Sequence, residues 1–176
     1  IAKATDGLTL AIGGGLLNVT PVTDRVIRIA YGPNRSYFGH SSFSVLPQHP
    51  PPLTRWKLES KLTEWILTTT ALQVHIDRKQ GDVSFWDLKG NRIASETPGG
   101  RSIEPATVQG QDTFHVRQRW TSTQDESLYG LGQNQLGLLD LKGYDLDLWQ
   151  YNGTIAFPFF VSSRGYGILW DNPSFT

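Results

Sequence analysis

The chain has 176 residues, of which 38% are hydrophobic and 11% aromatic, the make-up of a folded domain; a disordered chain lacks the apolar surface to offset chain entropy. Lys plus Arg and Asp plus Glu both number 16, for a formal net charge of +0, so no long-range field draws phosphate backbones or anionic lipid, and nucleic acid is not an expected partner. The absence of Cys excludes disulfides, thiolate catalysis and zinc–thiolate sites, and no apolar run approaches the about 18 residues of a membrane helix, so no membrane partner is expected.

Along the chain the hydrophobic period is two. Leu8–Ile12, Val26–Ile29, Leu72–Ile76 and Phe114–Gln118 each alternate in the manner of half-buried strands. Turn formers separate them: Gly13-Gly14-Gly15, Gly32-Pro33-Asn34, Gly81-Asp82, Gly90-Asn91 and Pro98-Gly99-Gly100. Pro50-Pro51-Pro52 has no N–H to give a ladder and is expected in a surface loop. Leu72–Asp77, Val83–Trp86 and Arg92–Ala94 read as a three-strand meander. With no apolar stripe at helical spacing, the expectation is an all-β fold, an antiparallel β-sandwich, in one domain over residues 1–176.

Chemistry finds little purchase. Asp145 and Asp147 alternate with Leu146 and Leu148, so on a strand they share a face, and the reading is a solvated face rather than a catalytic pair. The four histidines, His40, His49, His75 and His115, lack metal-ligand spacing. Neither a Gly-x-Ser-x-Gly elbow nor a phosphate-binding Gly loop occurs. No catalytic residue, metal or cofactor is expected. In Tyr129-Gly130-Leu131-Gly132 two glycines alternate where a side chain would collide or the backbone must bend, a structural role. Asn-x-Ser/Thr triplets stand at Asn18, Asn34 and Asn152 and matter only in a eukaryotic secretory pathway. Met is absent, and a chain opening on Ile1-Ala2-Lys3 is expected to have lost an upstream segment by processing or excerption; a periplasmic or secreted location is the expectation.

Glu126-Ser127-Leu128-Tyr129-Gly130-Leu131-Gly132-Gln133, followed by Ile155-Ala156-Phe157-Pro158-Phe159-Phe160 and Ser162-Ser163-Arg164-Gly165-Tyr166-Gly167, resembles the N-terminal domain of glycoside hydrolase family 31. The upstream meander is similar to that family's as well. The resemblance implies a galactose-mutarotase-like sandwich that precedes a catalytic (β/α)8 barrel, in a retaining α-xylosidase or α-glucosidase acting on oligosaccharides. Both catalytic aspartates would belong to the barrel, so no Asp of this chain takes either role. The resemblance also implies that the loop at Trp149, Gln150, Tyr151 and Asn152 helps shape the substrate pocket, where an aromatic ring stacks on a sugar and amides bind its hydroxyls. Trp149 and Tyr151 could instead pack on the sandwich or the barrel, and the sequence leaves both readings open. A stand-alone carbohydrate-binding sandwich is the alternative function.

Overall fold

The computed structural model describes residues 1–4, 6–39, 41–46, 54–133, 135–172, 174 and 176. The expected proline loop at Pro50-Pro51-Pro52 lies outside them, as do His40 and His49. Over the span expected to form one domain, the chain divides into two compact units, Ile1–Ser41 with Pro47–Thr121 and Ser42–Leu46 with Ser122–Thr176.

In the first unit, β1 (Ala2–Lys3), β2 (Leu8–Ile12), β3 (Gly15–Pro21) and β4 (Ile27–Gly32) form a four-stranded antiparallel sheet in sequence order. After a single 3-10 turn come β5 (Lys57–Ser60), β6 (Glu64–Thr68), β7 (Leu72–Asp77), β8 (Val83–Asp87), β9 (Arg92–Glu96), β10 (Ser102–Val108), β11 (Gln111–Arg117) and β12 (Trp120–Thr121). Six of these make a second antiparallel sheet, ordered β12-β9-β8-β7-β6-β5, while β10 and β11 form a separate two-stranded sheet. The expected meander is β7-β8-β9, one or two residues longer in its last two strands.

Alternation explains how the two sheets meet. Leu8, Leu10, Ile12, Leu17 and Val19 point inward from the first sheet, and Trp65, Leu67, Leu72, Val74, Ile76 and Val83 from the second, as one buried cluster. β2, β3, β6 and β7 each contribute alternate residues to it, as pleated strands do, and β6 buries Ile66 on its other face as well. The expected all-β antiparallel sandwich is the observed architecture. Gly13 and Gly14 close the β2–β3 hairpin with φ of 59° and 79°, the two successive positive values that a tight turn matched to strand twist requires.

One expected strand differs in its surroundings. The Phe114–Gln118 alternation reads as half-buried, yet β11 is mostly exposed. The cause is that β10 and β11 form a two-stranded ribbon, so alternate residues face solvent on both sides; Phe114 alone is half-buried, edge-on to Tyr37 with ring centroids 6.2 Å apart.

Where β9 hands the chain to that ribbon, a charge is buried. The Glu96 carboxylate accepts from Arg101 Nη2 at 2.6 Å and from the Val83 amide at 2.8 Å. The Arg101 guanidinium also stands 5.1 Å from the Tyr31 ring centre, over its face. Burial pushes the Glu96 carboxyl above its ordinary range and outweighs the pull of Arg101 in the other direction. Removing the cation leaves a carboxylate, its side chain 2% exposed, with no counter-charge. Arg101→Ala is expected to cost about 3–5 kcal/mol of unfolding free energy, whereas Arg25→Ala, on an exposed turn, should stay within about 0.5 kcal/mol; urea denaturation of the two variants checks both.

Candidate functional site

The second unit is built on a three-stranded antiparallel sheet, β13 (Leu128–Gln133), β14 (Ile155–Ser162) and β15 (Gly167–Leu169), in that order. Its entry is fixed by a buried acid. Glu126, 2% exposed, accepts hydrogen bonds from Ser162 Oγ at 2.5 Å, Tyr166 Oη at 2.6 Å, Ser122 Oγ at 2.9 Å and the Thr123 amide at 3.2 Å. Ser122 and Thr123 are local, while Ser162 ends β14 and Tyr166 lies in the turn before β15. One carboxylate therefore joins the start of β13 to the far ends of its partners. Desolvation drives the Glu126 carboxyl upward, but the hydroxyls of Ser162, Tyr166 and Ser122 together outweigh it and hold the group down at about 2. The same burial, with the negative charge beside it, lifts the Tyr166 phenol to about 12.

Past this anchor, β13 breaks register with β14 between Gly130 and Gly132. Gly130, Leu131 and Gly132 all take positive φ, at 115°, 58° and 100°. A Cβ at Gly130 would lie 2.7 Å from the Phe159 carbonyl oxygen, and one at Gly132 would lie 2.0 Å from that of Ile155. Both glycines are thus required for backbone-on-backbone approach, the collision expected from the sequence. Between the Gly130–Phe160 and Gly132–Ala156 pairs β13 has only the left-handed Leu131 while β14 has Phe157, Pro158 and Phe159, so the excess chain bulges on β14. Leu131 lines a small hollow with Leu146, Leu148, Thr154, Ile155 and Ala156, so it faces the segment that leads to the candidate loop.

That segment is not a strand. Residues 144–148 carry no ladder, so the shared strand face of Asp145 and Asp147 does not form. Both carboxylates are nevertheless exposed while Leu146 and Leu148 are half-buried, which keeps the solvated reading through side-chain burial alone. The Leu148 amide donates to the Thr176 carbonyl at 2.7 Å and the Trp149 amide to the Asp147 carbonyl at 3.0 Å. The Thr154 amide then donates to the Tyr151 carbonyl at 3.0 Å across Asn152-Gly153. Since Gly153 has φ 100° and Asn152 is not among the positive-φ residues, this is a turn of the type that demands glycine at its third position. Gln135 Nε2 reaches the Gly153 carbonyl at 3.4 Å, and β14 begins two residues on.

All four expected substrate-binding residues, Trp149, Gln150, Tyr151 and Asn152, are exposed side by side on this pinned loop. Trp149 is 55% and Tyr151 61% exposed, so neither is buried on the sandwich. Beyond the turn, β14 turns Ile155, Phe157 and Val161 outward as exposed alternate residues. Among the described residues no three His, Cys, Asp or Glu side chains gather to hold a metal ion; His75 sits on β7 against Glu64 at 2.9 Å, and His115 is exposed on β11. Sequence reasoning passed over Glu126, Ser162 and Tyr166 as a group. The signal was present, since Glu126 opens one of the two quoted motifs and Ser162 and Tyr166 belong to the other.

Comparison with known proteins supplies the setting. Residues 16–176 match the family described as the glycosyl hydrolase 31 N-terminal galactose mutarotase-like domain. An α-xylosidase of Saccharolobus solfataricus is 30% identical over 94% of this chain and 23% of its own length. Among solved structures, the family 31 α-xylosidase of Xanthomonas citri superposes with TM-score 0.87 at 34% identity, over 99% of this chain and 19% of that one. A family 31 α-xylosidase from a soil metagenome, complexed with xylose, gives TM-score 0.83 at 26% identity, over 99% of this chain and 28% of that one. The chain thus spans 19% to 28% of the length of these enzymes.

The Glu126 node gives a pH dependence with a definite sign. Its folded value, about 2, lies below the ordinary 4.5, so its stabilisation is complete above that ordinary value and is lost as pH falls toward 2. Unfolding free energy measured by urea titration between pH 6 and pH 2 is expected to fall through this window. In Glu126→Gln, stability at pH 6 should be lower and the slope correspondingly shallower; an unchanged slope would show that the carboxylate's hydrogen bonds carry no stability.

Proposed function

Since the chain belongs to the N-terminal galactose mutarotase-like domain family of glycosyl hydrolase 31, we propose that it is the non-catalytic N-terminal domain of a retaining α-glycosidase, of α-xylosidase or α-glucosidase type, that hydrolyses oligosaccharides. Its part is architectural, with one loop lent to the substrate pocket of the catalytic barrel. The observation that carries the loop assignment is an outward-facing row of two aromatic and two amide side chains on a segment pinned at both ends. Pinning matters because a group that is already ordered loses little entropy when a ligand arrives. The flat faces of Trp149 and Tyr151 suit the C–H face of a pyranose, and the Gln150 and Asn152 amides each offer donors and an acceptor to its hydroxyls. The xylose-complexed neighbour supports a pentose as the sugar class. An oligosaccharide shared with the barrel is accordingly the proposed partner, and a periplasmic or secreted location goes with an enzyme that meets polysaccharide fragments.

The same exposed aromatics favour a second reading, sugar binding by this domain alone. Isothermal calorimetry separates the two. No heat from the isolated chain with xyloglucan or malto-oligosaccharides is the outcome expected when the pocket needs the barrel, and measurable binding would replace the first reading with the second.

Within the whole enzyme, Gln150→Ala and Asn152→Ala are each expected to cost about 1 kcal/mol of binding, about a fivefold loss in kcat/KM, with Tm unchanged because exposed loop amides add little to folding. Tyr151→Ala should lower both, as a ring can stack and pack at once. Kinetics on an aryl α-xyloside or α-glucoside, paired with thermal melts, checks this; a lowered Tm with intact kinetics would make the loop interface packing.

A further inference from the structure

The chain holds six asparagines, and they differ sharply in what restrains them. Asn18 donates to Thr9 and accepts from Thr20. Asn34 accepts from Ser36, Asn91 donates to Asp87, and Asn172 accepts from Ser174. Asn134 lies outside the described residues. Asn152 is exposed, and its side chain has no hydrogen-bond partner among the described residues. It is also the only asparagine followed by glycine.

That neighbour decides the chemistry. A backbone nitrogen attacks the preceding side-chain amide only if it can approach Cγ, and a side chain on the following residue stands in the way; Gly153 has none. Its N–H, moreover, donates to no group among the described residues, so nothing is broken when it gives up its proton. The turn is held across Asn152-Gly153 by the Tyr151–Thr154 bridge and by the long Gln135 bond to the Gly153 carbonyl, both outside any ladder, and exposed hydrogen bonds of this kind contribute little. Rotation of Asn152 into the attacking geometry is therefore cheap.

We propose that Asn152 is a self-modifying site, which converts spontaneously to a mixture of aspartate and isoaspartate. The Gly153 nitrogen loses its proton and bonds to Asn152 Cγ. The Cγ–Nδ2 bond breaks, the departing nitrogen takes up a proton, and ammonia leaves behind a five-membered imide. Water then adds to one of the two imide carbonyls. Opening on the backbone side yields isoaspartate and opening on the side-chain side yields aspartate, with no oxidant or cofactor consumed. Either product replaces a neutral amide by a carboxylate and takes the chain from formal charge +0 to one negative charge. On the reading of the loop given above, it also deletes the amide donor offered to a sugar and so acts as a slow, irreversible attenuator of the site.

The test ages the protein at mildly alkaline and mildly acidic pH and follows it by anion exchange, peptide mapping and enzymatic isoaspartate methylation. The expected result is a later-eluting species shifted by one negative charge, formed faster at alkaline pH, with the change confined to the peptide that carries Asn152 and isoaspartate among the products. Asn152→Gln, whose cyclisation would need a six-membered ring, should not form it, and Asn152→Asp should elute with it from the start. Two results would overturn the proposal: conversion first at Asn91 or Asn134, or an intact Asn152 after a free peptide of the same sequence has fully converted. These readouts are chemical, so loss of the sugar-binding reading would leave them standing, and their failure would leave that reading untouched.

Discussion

A carboxylate removed from water must be met by donors, and in the second unit that requirement shapes everything around it. Glu126 collects hydrogen bonds from the segment before β13, from the end of β14 and from the turn into β15. Three backbone segments thereby share one point of reference, with Ser162 and Tyr166 lying 36 and 40 residues further along the chain. With that end fixed, the lengths of β13 and β14 set where their other ends emerge. The mismatch is absorbed opposite Gly130-Leu131-Gly132, where β14 carries the extra residues and two missing side chains on β13 let the strands close to van der Waals range. The bulge then sets Leu131 beside Leu146 and Leu148, next to the exposed aromatics and amides of the loop.

The first unit meets the same demand with different chemistry. Glu96 is also buried, but its main partner is a cation, Arg101, and burial still lifts its carboxyl while neutral donors depress that of Glu126. The contrast lies in donor count and direction. Four groups converge on Glu126, whereas Glu96 has the guanidinium and a single amide. A neutral cage stabilises the charge without importing a second buried ion that needs its own partners, a frequent cost of buried ion pairs. Arg101 answers that cost through the Tyr31 face and the Gly81 carbonyl.

Much of this architecture is legible in the sequence because its signals are local. Period-two burial in β2 and β7 is written in consecutive residues, and glycine pairs such as Gly13-Gly14 mark turns with no help from distant parts of the chain. The glycines of β13 announce a close approach without saying to what. The illegible features depend on partners. Nothing in Phe114–Gln118 distinguishes a strand in a layered sheet from one in a free ribbon, since the difference lies in what packs above it. The alternation at 144–148 reads as a strand, yet among the described residues it has no ladder partner, so burial alternates without a ladder. The loop residues were legible as chemistry, aromatics beside amides; their exposure was not, because it follows from anchors at Gln135 and Thr176.

The outward row on β14 bears on how copies of this chain behave together in solution. Ile155, Phe157 and Val161 are exposed on one strand, and at a formal charge of +0 no net repulsion holds molecules apart near neutral pH. Short-range attraction between such stripes then goes unopposed, so colloidal stability is weakest where a neutral protein is usually handled. Moving the pH away from neutrality restores a common sign of charge and widens the concentration range in which the chain stays dispersed.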